Sequence, residues 1–156
     1  MPVKIDAIDR RILEELQHDG RLQNLELSER IGLSPSTCLR RVRRLEENKV
    51  IEKYVAQLNA AAIGVGFTVY VRVWLTAGDA ETVRHFIESV RALPEVVECY
   101  MMAGDCDFLL RVVARDLDTY RQFREARLSQ IKGVQAAKTD IPMQVVKQST
   151  ELPLTP

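Results

Sequence analysis

Positive charge is concentrated in one short segment of a chain whose formal net charge is zero. The segment between Ser34 and Leu45 contains no acidic residue but carries four arginines: Arg40, Arg41, Arg43 and Arg44. A guanidinium group can donate two parallel hydrogen bonds to a phosphate or to the edge of a guanine base. The cluster therefore predicts a surface that binds an anion, and the alternative interpretation is a solvated face of an ordinary helix.

The same segment has the pattern of an amphipathic helix. Ser34 suits the N-cap and Pro35 suits the first helical position. At about 100° per residue, one face is apolar and holds Cys38, Leu39, Val42 and Leu45. The other face holds Ser36, Thr37, Arg40, Arg43 and Arg44, with Arg41 on its flank. We expect the apolar face to pack on a core and the arginines to face outward.

Two helices are predicted before this one. Ile5, Ile8, Ile12 and Leu16 recur at helical spacing up to Gly20, and Leu27 and Ile31 share a face of a shorter helix. Gly32 then provides a tight turn. Three helices with such a turn form a helix-turn-helix unit, whose later helix enters the major groove of double-stranded DNA.

The predicted DNA-binding domain covers residues 1–60. Alternation over 51–58 predicts a short strand that acts as a wing, with Lys53 and Tyr54 available to phosphates. Within the third helix we expect base contacts from Ser36, Thr37, Arg40 and Arg44 and phosphate contacts from Arg41 and Arg43, and Ser34 completes the predicted set.

The second half of the chain predicts a separate α+β domain. After a small, glycine-containing linker at 61–66, residues 67–147 follow the order strand, helix, strand, strand, helix, strand, which is the ferredoxin-like βαββαβ motif. The last strand is predicted from about Val134 to Val146, with Pro142 arguing for an edge position or a bulge. A proline-punctuated tail, 148–156, is expected to be poorly ordered unless it packs on a partner subunit.

An acidic turn in this domain has the chemistry to hold an amino acid. Asp105 or Asp107 can pair with an ammonium group, while backbone N–H groups near Gly104 and the Thr139 hydroxyl can bind a carboxylate. The alternative is a plain hairpin turn, where Gly-Asp pairs are common. A four-stranded sheet with helices on one side also needs its other face covered, which predicts a homodimer matching a twofold DNA site.

Other functional classes fit the sequence less well. Asp105 and Asp107 could form an acid–base pair, but no histidine, lysine or metal-ligand cluster stands beside them, so we expect neither catalysis nor a metal site. A redox switch at Cys106, in a turn expected to be exposed, is a further alternative. No apolar run approaches the roughly 20 residues that span a bilayer, and no signal pattern is present, which predicts a cytoplasmic protein without a membrane partner.

The chain resembles the Lrp/AsnC (leucine-responsive and asparagine regulator) family of transcription factors. The resemblance is carried by Leu27–Ser34, by Cys38–Glu46, by Gly104–Leu110 and by Val146–Ser149, and it spans nearly the whole chain. It implies a winged helix-turn-helix domain, an effector-binding ferredoxin-like (RAM) domain, and dimers that often assemble into octamers.

The resemblance also implies an amino-acid effector and no other cofactor. The matching positions are the turn Gly104–Asp107 and the start of the last strand around Thr139, Asp140 and Ile141. Two alternatives stay open: an architectural protein that bends DNA without an effector, and an effector domain that regulates an enzyme beside a vestigial helical domain.

Overall fold

The computed structural model describes residues 4–154 of the chain. Residues 1–3 of the predicted domain 1–60 and residues 155 and 156 of the predicted tail lie outside the described residues. The chain divides into two compact units. The first runs to Gln57 and includes the segment from Lys147 onward, and the second is Leu58–Val146.

Three helices form the first unit: α1 (Ala7–His18), α2 (Asn24–Ile31) and α3 (Pro35–Glu47). Asp6 and Asp9 form a capping box at the start of α1, with N–H to carboxylate distances of 2.8 and 3.2 Å. Gly32 ends α2 with a φ of 76°, a left-handed conformation that favours glycine. Ser34 caps α3 by accepting a hydrogen bond from the Thr37 N–H at 3.3 Å. The predicted helix-turn-helix layout is confirmed.

One face of each helix contributes to the core of the first unit. Its buried apolar side chains are Ile12, Leu13, Leu27, Ile31, Cys38 and Leu45. Leu39 is not among them, because 37% of its surface is exposed, and its assignment to the buried face is wrong. The buried face of α3 is centred between Cys38 and Leu45, and Leu39 lies about 100° around the helix from Cys38.

A buried carboxylate fixes α3 against α1. The side chain of Asp9 is 0% exposed and accepts hydrogen bonds from Arg41 Nη1, at 2.9 Å, and from Arg44 Nη2. Arg41 Nη1 also lies 2.8 Å from the Asp6 carboxylate. The Asp9 N–H and then the Arg41 guanidinium lower the pKa of Asp6 to about 2. Because a buried carboxylate needs cationic partners, these contacts restrict the rotation of α3 about its axis.

The segment that follows α3 does not form the predicted wing strand. Residues 52–59, all of which are described, have no regular secondary structure, so the strand predicted over 51–58 is wrong. Alternation makes a strand only where a second strand pairs with it. Here residues 52–59 are exposed, and Tyr54 contacts the helical unit through its ring, which lies near Gly20, and through its hydroxyl, which donates to Glu46 on α3.

The C-terminal segment packs on α1. The Gln17 side-chain amide donates to the Leu152 carbonyl at 3.1 Å and accepts from the Leu152 N–H at 2.7 Å. Leu154 packs against the core of the first unit. The expectation that the tail is ordered only on a partner subunit is therefore wrong, since its described part packs on its own chain.

The second unit contains an antiparallel four-stranded sheet. Its elements in chain order are β1 (Phe67–Leu75), α4 (Ala80–Arg91), β2 (Val96–Met101), β3 (Phe108–Ala114), α5 (Leu117–Ala126), a short 3-10 helix (Leu128–Gln130) and β4 (Val134–Asp140). The strand order is β2-β3-β1-β4. This arrangement confirms the predicted α+β class, with a helix-turn-helix unit followed by a ferredoxin-like unit.

The two faces of the sheet have different surroundings. Val69, Val71 and Val73 on β1 are fully buried in a core that they share with Phe86 and Phe108, whose ring centroids are 4.6 Å apart. The alternate residues form the opposite face, here called the open face, which includes Tyr70, Arg72, Trp74, Glu98, Tyr100, Leu109, Arg111 and Asp140. The open face is only partly buried within the chain.

β4 is shorter than predicted. It ends at Asp140, although the sequence pattern predicts a strand to Val146. The residue after next is Pro142, which has no N–H to donate to a neighbouring strand. The edge position expected from this proline is confirmed, because β4 lies at one end of the strand order.

Removal of the Asp9 carboxylate should destabilise the first unit. Asp9→Ala leaves two arginines without their shared buried partner, and we expect a loss of about 2–4 kcal/mol of unfolding free energy, since both cations retain some solvent contact. Urea denaturation followed by circular dichroism measures this loss. Glu14→Ala, at an exposed position of the same helix, is the control, and equal stability of the two variants would contradict the anchoring role.

Acid should weaken the first unit in a range set by Asp6. Its folded pKa of about 2 lies below the ordinary value, so its stabilising effect is complete above about pH 4 and is lost as the pH falls toward 2. Asp6→Asn should therefore lose less stability between pH 5 and pH 2.5 than the unchanged protein does. Thermal melting across this range tests the expectation, and parallel acid profiles would contradict it.

Candidate functional site

The outward face of α3 combines cationic, hydroxyl and apolar side chains. Its exposed residues are Ser36, Leu39, Arg40, Arg43, Arg44 and Glu47. With Arg41 they line a shallow groove on the surface of the first unit. A helix that follows a helix-turn-helix turn and presents such a face has the shape and charge to enter the major groove.

The four arginines of the cluster fall into two pairs. Arg41 and Arg44 are bound to Asp9, and Arg41 is also bound to Asp6. Arg40 and Arg43 make no ion pair with any residue in the described part of the chain, and both are exposed. The structure therefore leaves Arg40 and Arg43 as the cations best placed to bind an external anion.

The hydroxyl groups at the start of α3 have unequal freedom. Ser34 Oγ accepts from the Thr37 N–H and donates to Thr37 Oγ1 at 2.9 Å. Ser36 Oγ lies 3.3 Å from Ser34 Oγ, and Ser36 is exposed. Ser34 and Thr37 are thus engaged in capping the helix, whereas Ser36 faces outward.

The two residues predicted to reach phosphates from the wing differ as well. Lys53 is exposed. Tyr54 donates a hydrogen bond from its hydroxyl to Glu46 Oε1 at 3.0 Å, so it is bound to α3. Burial and then the hydrogen bond to Glu46 raise the pKa of Tyr54 to about 12. A phosphate contact from Tyr54 would have to displace this carboxylate.

The predicted effector turn lies between β2 and β3. Asp105 is the more accessible acid: its side chain is 82% exposed, and its carboxylate lies 3.7 Å from Arg72 Nη1. Asp107 Oδ2 instead accepts from the Leu75 N–H at 2.7 Å, beside the irregularity in pairing at the end of β1. Of the two acids, Asp105 is therefore the one with a carboxylate open to an ammonium group. No neighbouring atom crowds Gly104.

The residues predicted on β4 point to opposite faces of the sheet. Asp140 is on the open face, where Arg72 Nε donates to its carboxylate at 2.8 Å and lowers its pKa. Thr139 faces the helices, and its hydroxyl is hydrogen-bonded to the Tyr120 hydroxyl. Ile141 is exposed just beyond the strand. The structure brings Asp105 and Asp140 together through Arg72, and it separates Thr139 from them.

Two residues on β1 that the sequence reasoning missed complete this site. Arg72 contacts both Asp140 and Asp105, and Trp74 Nε1 donates to the Asp105 carbonyl at 2.6 Å. The sequence did contain a signal for the role of Arg72: it stands within a run of valines and aromatic residues, and a charge at the centre of a strand needs a partner. Trp74 is the one tryptophan of the sequence, so its fluorescence reports on this turn.

The structure gives no support to a redox switch, a metal site or a membrane span within the described residues. Cys106 is 7% exposed, so the exposed turn expected for a redox switch is wrong at this residue. Among residues 4–154 no group of histidine, cysteine and acidic side chains has the arrangement to hold a metal ion. In the same part of the chain, no helix combines the length and the apolar character needed to cross a membrane.

Comparison with known proteins agrees with both units. The family model described as the Lrp/AsnC ligand binding domain matches residues 68–152, and a winged helix-turn-helix DNA-binding model matches residues 5–52. The leucine-responsive regulatory protein of Escherichia coli K12 is 42% identical over 148 residues, which cover 95% of this chain and 90% of that protein.

Solved structures give the same result. A transcriptional regulator from Neisseria meningitidis in complex with L-Met is 36% identical, with a TM-score of 0.93 and 97% of each chain covered. An AsnC family transcriptional regulator from Agrobacterium tumefaciens is 37% identical, with a TM-score of 0.91 and coverage of 96% of this chain and 97% of that one. The chain therefore belongs to the Lrp/AsnC family of DNA-binding transcriptional regulators.

Proposed function

We propose that this protein binds specific DNA sequences through α3 and that an amino acid, bound at the turn Gly104–Asp107, changes its DNA binding. The observation that carries the effector part is the accessible Asp105 carboxylate, placed next to Arg72 and Trp74 on the open face. The α-ammonium group of the amino acid pairs with Asp105, and its α-carboxylate pairs with Arg72, which Asp105 then no longer contacts. The L-Met bound to the Neisseria regulator supports this class of ligand.

The DNA part of the proposal depends on the two exposed arginines of α3. Arg40 and Arg43 have their guanidinium groups outside the Asp9 network, so they can bind bases or phosphates without breaking an existing ion pair. Arg44 is revised from a base-reading residue to one that orients α3, because its guanidinium is bound to the buried Asp9. Ser36, Lys53 and the start of α3 complete the proposed contact surface.

A second copy of the chain covers the open face in the proposed assembly. Tyr70, Trp74 and Tyr100 lie among ion pairs there, including Arg111 with Glu98 at 2.7 Å. Paired charges cost less to desolvate than isolated ones, so aromatic groups between them suit an interface. Two copies then present two α3 helices to a twofold DNA site. We propose that such dimers assemble further into octamers, as the resemblance to the family implies.

Loss of the exposed arginines should weaken DNA binding. We expect Arg40→Ala to cost about 1–3 kcal/mol and to relax specificity if it reads a base, and Arg43→Ala to reduce the salt slope by about one unit if it contacts phosphate. Titration of a selected DNA site at several salt concentrations measures both effects. Arg84→Ala, which removes an exposed charge from α4, is the control, and unchanged binding by Arg40→Ala with Arg43→Ala would contradict the assignment.

Effector binding should change the fluorescence of Trp74. Titration with L-methionine, L-leucine and the other common amino acids should shift its emission, because its indole is bonded to the Asp105 carbonyl. Asp105→Ala keeps this backbone contact but removes the carboxylate, so the response should disappear while DNA binding persists. Asp118→Ala, at an exposed acid on α5, should respond normally. DNA binding unaffected by every amino acid would favour the effector-independent architectural alternative.

A further inference from the structure

Leu39 is an apolar side chain on the outward face of α3, and 37% of its surface is open to solvent. We infer that Leu39 reads DNA sequence by contacting the C5-methyl group of thymine in the major groove. This inference rests on the proposed binding of α3 to DNA. It assigns a specificity role to a residue that the sequence pattern places in the core.

The position of Leu39 on α3 is set by the buried network. Cys38 and Leu45 are fully buried, and Arg41 is held by Asp6 and Asp9. With that side of the helix fixed against α1, the isobutyl group of Leu39 is turned toward solvent, 37% exposed. Rotation of α3 to bury Leu39 would withdraw Arg41 and Arg44 from the Asp9 carboxylate.

The neighbours of Leu39 are the groups proposed to bind DNA. Ser36 precedes it by one helical turn and Arg43 follows it by one turn, so the three share one stripe of the helix surface. Arg40 is adjacent, and all four line the same groove. A single exposed leucine is ordinary on a protein surface. Leu39 differs because it lies inside the cationic face, where a bound duplex would remove it from water.

The chemistry of the major groove selects the ligand. Phosphates and most base edges offer charge or hydrogen bonds, which a leucine cannot use, whereas thymine offers an exposed methyl group. Burial of one methyl-sized group is worth about a fourfold change in affinity. Because the two arginines have long side chains, they can bond to neighbouring bases or phosphates while Leu39 packs on this methyl.

The test compares thymine with uracil, the base of deoxyuridine, which differs from thymine only by the absence of that methyl group. A preferred DNA site is first selected from random duplexes, and each thymine in it is then replaced singly by deoxyuridine. The unchanged protein should lose about fourfold in affinity at one position per half-site. Leu39→Ala should bind both versions equally and keep the salt slope of the unchanged protein. Leu117→Ala, at an exposed leucine of α5, should retain the fourfold difference.

Several results would overturn the inference. Equal binding of thymine and deoxyuridine at every position by the unchanged protein would do so, as would a full difference retained by Leu39→Ala. In both cases the proposed DNA binding by α3 would stand. Failure of the unchanged protein to bind any duplex at low salt would instead overturn the proposed function as well. Circular dichroism of Leu39→Ala serves as the folding control, and we expect the helical signal of the unchanged protein.

Discussion

A carboxylate without access to water determines which way α3 faces. Asp9 is fully buried on α1, and its partners Arg41 and Arg44 come from 32 and 35 residues further along the chain. Because an unpaired buried charge is so unfavourable, α3 adopts the rotation that brings both guanidinium groups to it. One network thereby separates four neighbouring arginines into two that hold the helix and two that face solvent.

In the second unit the shared group is a cation instead of a carboxylate. Arg72 lies at the centre of β1 and contacts Asp140 on β4 and Asp105 in the turn before β3. One guanidinium group therefore links two segments that are distant in sequence. If a charged ligand binds at the turn as proposed, it acts on a cation that already pairs with two carboxylates, so it changes the charge balance at β4 without contacting that strand.

Much of the fold could be predicted from local sequence patterns. Most of the features that were not predicted depend on contacts between segments that are distant in sequence. Hydrophobic periodicity and the glycine at position 32 were enough to predict three helices, and the order of elements predicted the ferredoxin-like unit. The burial of Leu39 was predicted wrongly, and the ion pair of Arg44 was not foreseen, because the pattern within α3 contains no information about Asp9. The wing strand over 51–58 failed for a related reason, since alternation cannot say whether a second strand is present to pair with it.

The C-terminal segment makes the first unit discontinuous in sequence. Leu152 and Leu154 contribute to it although they follow β4, so topologically the second unit is an insertion between α3 and the residues that complete the first. A fragment that ends at Gln57 lacks part of its own packing surface. To study the first unit alone, the second unit has to be removed and the segment from Lys147 joined to the helical part that ends at Gln57.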